Sequence, residues 1–93
     1  MRRAANTHRR DSGHKAILDA LRRVGCAVID LSQLGHGVPD ALVFGPRGLL
    51  LLEIKSAGGR LTAQQAWYQA RWGAICVRSV AEALEAVGVT TGA

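Results

Sequence analysis

The sequence lacks the long apolar segments that membrane and exported proteins need. No part of its 93 residues approaches the roughly 18 apolar residues of a membrane-spanning helix, and the leucines at 49–52 make a run of only four. The N-terminus is basic but has no apolar stretch of the kind found in secretion signals. We therefore expect a cytoplasmic protein without a membrane partner.

Cysteine is also scarce. Cys26 and Cys76 are far apart in the chain, and each lies within an apolar run typical of a strand. Their spacing is not that of metal ligands. The sequence predicts that both are buried free thiols, which pack as small hydrophobic side chains.

Acidic residues are few relative to basic ones. The 12 Lys and Arg against 7 Asp and Glu give a net charge of +5. Such an excess favours a nucleic-acid partner, because Lys and Arg contacts to phosphates supply most non-specific affinity. The alternative is that the charge only keeps a small protein in solution. Residues 1–10 predict a flexible basic arm that contacts DNA, or else a merely frayed terminus. Its basic residues are Arg2, Arg3, Arg9 and Arg10.

The remaining residues, 11–93, are enough for a single small domain. Hydrophobic residues make up 48% of the chain and recur with regular periodicity, which is typical of a folded protein. We find no internal repeat and no linker. A domain of this size often gains stability by pairing with a second copy.

Hydrophobic periodicity predicts an α/β fold of order αβββαβα, with a mixed sheet flanked by helices. The predicted elements are a helix at 11–24, strands at 26–31, 38–44 and 49–55, a helix at 62–72, a strand at 74–77 and a helix at 80–87. Thr62–Gln65 and Ser79–Glu82 each have the pattern of a capping box at a helix start.

The second and third strands form a hairpin whose register follows by counting. Residues 45–48 (Gly-Pro-Arg-Gly) are a strong turn signal. A four-residue loop there places Phe44 opposite Leu49 and, by the same count, Asp40 opposite Glu53. A slip of one residue would put the two acids on different faces.

Two opposed carboxylates require a physical reason. Like charges directly across a strand pair are destabilising. A divalent cation between Asp40 and Glu53 would remove the repulsion, and hard oxygen ligands suit Mg2+ or Mn2+. Lys55, two residues beyond Glu53, adds an ammonium group to the same strand end.

These residues resemble the core motif of the PD-(D/E)XK nucleases. The longer pattern resembles the VRR-NUC (virus-type replication-repair nuclease) branch of that superfamily. Its members carry Gly-x-Pro-Asp, then Glu-x-Lys, then Gly-Arg-Leu-Ser/Thr-x-x-Gln. The corresponding segments here are 37–40, 53–55 and 59–65, and the similarity extends over about residues 11–87.

The resemblance implies a restriction-endonuclease-like fold and metal-dependent hydrolysis of phosphodiester bonds. Asp40, Glu53 and the backbone carbonyl of Ile54 would hold Mg2+, with Mn2+ as a substitute. Lys55 would deprotonate the attacking water or stabilise the developing charge. Gln65, which matches the family glutamine better by spacing than Gln64 does, would orient the nucleophile or support the metal-site lysine. Its alternative role is only the capping box with Thr62.

Stand-alone phage and bacterial members of this branch imply a homodimer that cuts branched DNA, in the manner of a Holliday-junction resolvase. Two other readings stay open: a basic DNA-binding or adaptor module whose nuclease site has decayed, and a structural α/β domain in which the charged residues only decorate a strand end.

Some further residues have two readings. Asp11 matches by spacing a family glutamate that joins the metal site, or it caps the first helix. Arg60, Arg78 and His36 are candidate phosphate contacts, although His36 can be an incidental loop residue. We expect the aromatic residues on the second helix to be buried in the core, and stacking on unpaired bases is the less favoured alternative. They are Trp67, Tyr68 and Trp72.

Overall fold

The computed structural model describes residues 2–89, with side chains from residue 13 onward. It confirms the predicted α/β fold and the order αβββαβα. The elements are helix α1 (Arg2–Arg23), strands β1 (Ala27–Asp30), β2 (Ala41–Gly45) and β3 (Gly48–Ile54), helix α2 (Ala63–Trp72), strand β4 (Ile75–Val77) and helix α3 (Val80–Val87).

The four strands form one mixed sheet in the order β1-β2-β3-β4. The first three run antiparallel to their neighbours, whereas β4 runs parallel to β3. A parallel pair needs a crossover connection, and α2 lies within the segment that provides it. The sheet is therefore a three-stranded meander extended by one crossover strand.

The predicted register of the hairpin is confirmed. Phe44 pairs with Leu49, but the turn is shorter than predicted, because Gly45 pairs with Gly48 and leaves only residues 46–47 between the strands. The register is unchanged because one residue joins each strand. Gly48 has φ +94°, a left-handed conformation that glycine adopts without steric cost.

The core lies between one face of the sheet and helices α1 and α3. Val43 and Leu52 on the sheet are fully buried, as are Leu21 of α1 and Val87 of α3. Because side chains alternate along a strand, the neighbouring residues point to the other face. Part of that face is open, where the exposed fractions of Ile29, Phe44 and Leu49 are 56%, 58% and 63%.

Helix α1 begins at Arg2, nine residues before the predicted start at Asp11. Residues 2–10 contain several Ala and Arg, which are good helix formers, and no Pro or Gly. The side chains of residues 2–12 lie outside the described part of the structure. The predicted arm and Asp11 therefore stay predictions, as do the DNA contacts assigned to Arg2, Arg3, Arg9 and Arg10.

Two predictions about burial are wrong in part. Cys26 is a buried free thiol as predicted, but Cys76 is only half-buried, because it lies beside Glu53 on the less covered face of the sheet. Helix α2 contributes no buried residue, so the core reading of its two tryptophans is also wrong. Among the described helices, none has both the length and the apolar character that a membrane crossing requires.

Candidate functional site

A cleft of about 570 Å³ lies at the end of the sheet where β2 begins and β3 ends. Its walls come from α1, from the strand ends, from the loop after β3 and from the first turn of α2. Its lining includes all four residues predicted to be catalytic, namely Asp40, Glu53, Lys55 and Gln65. The fold thus brings together side chains that span 26 positions of the sequence, from residue 40 to residue 65.

Asp40 is fixed by both its backbone and its side chain. Its carbonyl accepts a hydrogen bond from the Leu31 amide at 2.7 Å, which extends the pairing of β1 with β2. Its Oδ2 accepts the Ile54 amide at 2.8 Å. The residue is only 7% exposed, so this carboxylate is held in one place, next to the end of β3.

Glu53 is the second buried carboxylate of the cleft, with 5% exposure. The observed pairing of Ala41 with Leu52 puts Asp40 and Glu53 opposite each other at the next step of the register. The Glu53 Oε2 accepts a hydrogen bond from the Gln65 side-chain amide at 3.0 Å. The expected juxtaposition of the two acids is therefore present.

Gln65 has both of the roles that the sequence left as alternatives. Two hydrogen bonds form a capping box with Thr62. The Gln65 amide donates to the Thr62 hydroxyl, and the Thr62 amide donates to Gln65 Oε1 at 2.8 Å. The same side chain donates from Nε2 to Glu53. The carbonyl end of the amide caps α2 while the amino end holds the carboxylate.

Lys55 follows β3 and lines the cleft. Its amide donates to the Val77 carbonyl at 3.1 Å, so the pairing of β3 with β4 continues to the lysine. The side chain is half-buried. An ammonium group is thus carried on a regular, well-supported backbone beside two carboxylates.

Arg78 shapes the loop that follows Lys55. Its Nη1 donates to the carbonyls of Ser56 and Gly59, at 2.7 Å each. Its amide donates to Glu82 Oε1 at 2.7 Å. This last bond corrects the second predicted capping box: Ser79 does accept the Glu82 amide, but the Glu82 side chain returns to Arg78 rather than to Ser79. A contact of Arg78 with DNA stays a prediction.

The residues of the cleft fit a hydrated divalent cation. The two buried carboxylates are hard oxygen donors, and Ile54, whose carbonyl is the further predicted ligand, also lines the cleft. Mg2+ commonly uses one or two carboxylates and keeps several waters. No group of three or more His, Cys, Asp and Glu that could hold a metal occurs among the described residues. Asp11, the predicted additional ligand, lies outside them.

Helix α1 brings residues to the cleft that sequence reasoning missed. They are Gly13, His14 and Ile17. The His14 side chain is 13% exposed, and its Nε2 lies 3.4 Å from Asp30 Oδ1. The available signal was spacing, because His14 precedes the core residue Ile17 by three positions and so shares its helix face.

Asp30 lies at the end of β1 and is exposed. Burial acts to raise its pKa, but the Ser32 hydroxyl at 2.6 Å and the Ser32 amide at 2.9 Å donate to Oδ1, and His14 adds positive potential. The net result is a pKa of Asp30 below its ordinary value.

The other candidate phosphate contacts are exposed. Arg60 lies between the loop after β3 and the start of α2, and its side chain is open to solvent. His36 is exposed in the loop before Asp40 and has φ +55°. Next to it, Gly37 has φ +77° and lies against Gln64 of α2 so closely that an added Cβ would clash with the Gln64 Cβ. The loop before Asp40 is thereby packed against α2, and the DNA contacts of Arg60 and His36 stay predictions.

We compared the chain with protein-family models, with curated proteins and with solved structures, and none of these comparisons finds a match. The resemblance to VRR-NUC nucleases therefore rests on the sequence motifs and on the residues of the cleft.

Proposed function

We propose that this protein is a metal-dependent DNA endonuclease of the VRR-NUC type, which hydrolyses phosphodiester bonds. The observation that carries the proposal is the meeting of two buried carboxylates, Asp40 and Glu53, with Lys55 in one cleft. A purely structural domain has no need to bury two like charges side by side, since such an arrangement costs free energy. A site that binds a cation gives this arrangement a use.

In this proposal Asp40, Glu53 and the Ile54 carbonyl hold Mg2+, with Mn2+ as a substitute. A divalent cation supplies Lewis acidity at the phosphate and lowers the pKa of a bound water. The Ile54 amide and the Gln65 side chain orient the two carboxylates, at 2.8 Å and 3.0 Å. Both contacts are local and fixed before any substrate arrives, which is the arrangement expected of a preorganised site.

Lys55 acts in this proposal through its own side chain and not as a ligand of the cation. Its ammonium group can stabilise charge that develops on the phosphate, or its neutral form can accept a proton from the attacking water. The continued pairing of its backbone with Val77 limits where the side chain can reach. We therefore expect Lys55 to act on the reacting phosphate rather than to contact distant DNA.

The net charge of +5 supports DNA as the substrate class. We propose branched DNA, including four-way junctions, as the preferred substrate, and a homodimer as the active form, since a symmetric pair of sites can cut two strands. The open sheet face supports pairing, because Phe44 and Leu49 are adjacent and more than half exposed. The proposed location is the cytoplasm of a bacterial or phage-infected cell.

The deciding experiment measures cleavage of labelled four-way junctions, flaps, single strands and linear duplex in Mg2+, in Mn2+ and in EDTA. Lys55→Ala is the test variant. Lys15→Ala is the matched control, because Lys15 is exposed and pairs only with surface Asp19 at 2.7 Å among the contacts that the structure describes. Loss of one preorganised electrostatic group costs about 3 kcal/mol, or roughly 100-fold in rate. Equal cleavage by Lys55→Ala and the parent protein would contradict the assignment.

A DNA-binding or adaptor module with a decayed site is the second candidate. The observation that favours it is that the described residues include no group of three or more His, Cys, Asp or Glu side chains that could hold a metal ion. Tight DNA binding without cleavage in either metal supports this candidate. Cleavage that requires the metal and Lys55 excludes it.

A further inference from the structure

Helix α2 exposes the two largest side chains of the protein. Trp67 is 51% exposed and Trp72 is 62% exposed, and no residue of α2 is buried. A buried aromatic side chain removes about 150–250 Å² from water, so leaving two of them half open sacrifices much of the stabilisation they offer. In a small domain with a limited core, this exposure calls for a function.

The helix is attached to the candidate site by its first turn. Gln64 packs against the backbone of Gly37, and Gln65 donates to Glu53 at 3.0 Å. The capping box with Thr62 fixes the start of the helix. The rest of α2 therefore extends from the cleft in a defined direction, although it buries nothing.

The aromatic side chains continue along α2 from Gln65. Tyr68 and Trp72 follow Gln65 by three and seven residues, which places them on the same side of the helix, about 4.5 Å and 10.5 Å further along its axis. Trp67 adjoins Tyr68, with ring centroids 5.1 Å apart in an edge-to-face arrangement. The Arg71 guanidinium lies 5.9 Å from the centre of the Trp67 ring. We call these four residues (Trp67, Tyr68, Arg71 and Trp72) the α2 aromatic surface.

The positive charge and the exposed rings of this surface together indicate a single-stranded nucleic acid as its partner. Helix α2 contains no Asp or Glu and carries Arg71 beside the exposed rings. Exposed aromatic rings interleaved with positive charge are the features that bind single-stranded nucleic acid, because rings stack on bases and cations contact phosphates. Bases in a duplex are already stacked and paired, and their faces are not accessible to such rings.

We propose that the α2 aromatic surface stacks on unpaired bases of the strand that occupies the cleft. The inference rests on the proposed nuclease function and narrows its substrate class to DNA with single-stranded nucleotides beside the cleaved phosphate, such as a flap or an open branch point. A second copy of the chain is the competing occupant. The exposed pair of Phe44 and Leu49 offers a separate, uncharged surface for that copy.

Intrinsic fluorescence tests the proposal directly, because Trp67 and Trp72 are the only tryptophans of the chain. The full-length protein is titrated in EDTA, where no cleavage is expected, with single-stranded oligothymidine and with a blunt duplex of the same length. We expect the single strand to quench the fluorescence and the duplex to leave it nearly unchanged. Stacking is worth about 1–3 kcal/mol per base, so Trp67→Ala and Trp72→Ala should each weaken single-strand binding by roughly 5- to 150-fold.

The controls separate stacking from unfolding. Trp72→Phe keeps an aromatic ring and should retain most of the affinity. Ile29→Ala removes another apolar side chain, 56% exposed, from the edge strand β1 and should change nothing. Unchanged single-strand affinity in both Trp→Ala variants would overturn the proposal. Conversion of a dimer into a monomer by these variants in light scattering, without a change in single-strand affinity, would also overturn it and assign the surface to a second copy.

Cleavage in Mg2+ is measured separately on a flap and on a linear duplex. A loss of flap cleavage in Trp72→Ala with unchanged duplex cleavage supports the proposal. Absence of cleavage by the parent protein on every substrate would defeat the nuclease function, whereas the binding titration in EDTA would still decide whether the surface stacks on bases.

Discussion

The side-chain amide of Gln65 joins the start of helix α2 to the buried carboxylate of Glu53. Its Oε1 accepts the Thr62 amide at 2.8 Å, and its Nε2 donates to Glu53 Oε2 at 3.0 Å. One amide group therefore stabilises the helix and orients a site residue. The two contributions can be separated by substitution, because each uses a different atom.

Gln65→Glu should keep the cap and damage the site. A glutamate serves equally well in a capping box, but it has no Nε2 donor and brings a third negative charge towards Glu53. We expect a loss of about 1–3 kcal/mol of unfolding free energy and a marked loss of cleavage. Thr62→Ala should instead weaken the cap and spare the site, with a loss of about 1 kcal/mol of unfolding free energy and little change in cleavage. Gln64→Ala, one residue away, is the matched control; an equal effect at both glutamines would refute the role of Gln65.

Neutralising Asp40 should stabilise the protein while removing its response to metal. Asp40→Asn can still accept the Ile54 amide but no longer repels Glu53, so in EDTA we expect the unfolding free energy to rise by on the order of 1 kcal/mol. Mg2+ should raise the melting temperature of the parent protein and leave that of Asp40→Asn unchanged. Thermal denaturation with and without Mg2+ measures both effects. An equal shift with metal in both proteins would show that the cation binds elsewhere.

The close approach of Gly37 to α2 predicts that substituting two glycines of the same loop lowers the unfolding free energy by different amounts. Gly35 and Gly37 both have positive φ, at +68° and +77°, but only Gly37 has a neighbour within 4 Å of an added Cβ. Gly35→Ala should cost about 1–2 kcal/mol from backbone strain alone. Gly37→Ala must also displace Gln64, and we expect a total of about 2–4 kcal/mol together with reduced cleavage. Denaturant unfolding checks the comparison; equal costs would mean that the contact with Gln64 contributes nothing.

The bonds from Arg78 to two loop carbonyls predict that this arginine holds the loop after Lys55 in place. Arg78→Met keeps much of the side-chain volume and removes the donors, each of which is worth about 1.5–3 kcal/mol when charged. The loop should then open more often, which we would measure as faster tryptic cleavage after Arg60. Arg71→Met, on exposed α2, is the control and should leave that rate unchanged. If Arg78→Met did not change the rate of tryptic cleavage after Arg60, Arg78 would not hold this loop in place.

The depressed pKa of Asp30 predicts a pH-dependent contribution to stability. A carboxylate with a lower pKa in the folded state stabilises the fold above its unfolded value, near 3.8, and loses that contribution as pH falls through the folded pKa. The difference in unfolding free energy between the parent and Asp30→Asn should therefore be fully present near pH 5 and shrink as the pH falls below about 4.

Salt provides the control for this experiment. Asp19 also has a depressed pKa, chiefly through its hydrogen bond to Lys15, but it lies on the solvent-exposed side of α1. Molar salt should abolish the effect of Asp19→Asn and leave most of the effect of Asp30→Asn, whose hydrogen bonds to Ser32 are short-range. If the difference in unfolding free energy between the parent and Asp30→Asn grew as the pH fell, the pKa of Asp30 could not be depressed in the folded state.

Local patterns in the sequence were sufficient to predict the order of helices and strands and the opposed positions of Asp40 and Glu53. The turn residues at 45–48 set the hairpin register, and the register alone puts Asp40 across from Glu53, because the two positions are separated by a single tight turn. The cap at Thr62 was likewise readable, since its partner is three residues away. Such features depend on backbone geometry between near neighbours in the chain.

Tertiary structure alone decided which side chains support the site and which stay exposed. The bond from Gln65 to Glu53 spans twelve residues, and that from Arg78 to Ser56 spans 22. The exposure of Trp67 and Trp72 could not be read from composition, because hydrophobic pattern predicts that aromatic rings are buried whenever a surface is available to cover them. Here α1 and α3 cover one face of the sheet, whereas α2 contributes no buried residue. Burial is a property of the packed domain, and it was the packing that left the two tryptophan side chains of α2 in solvent.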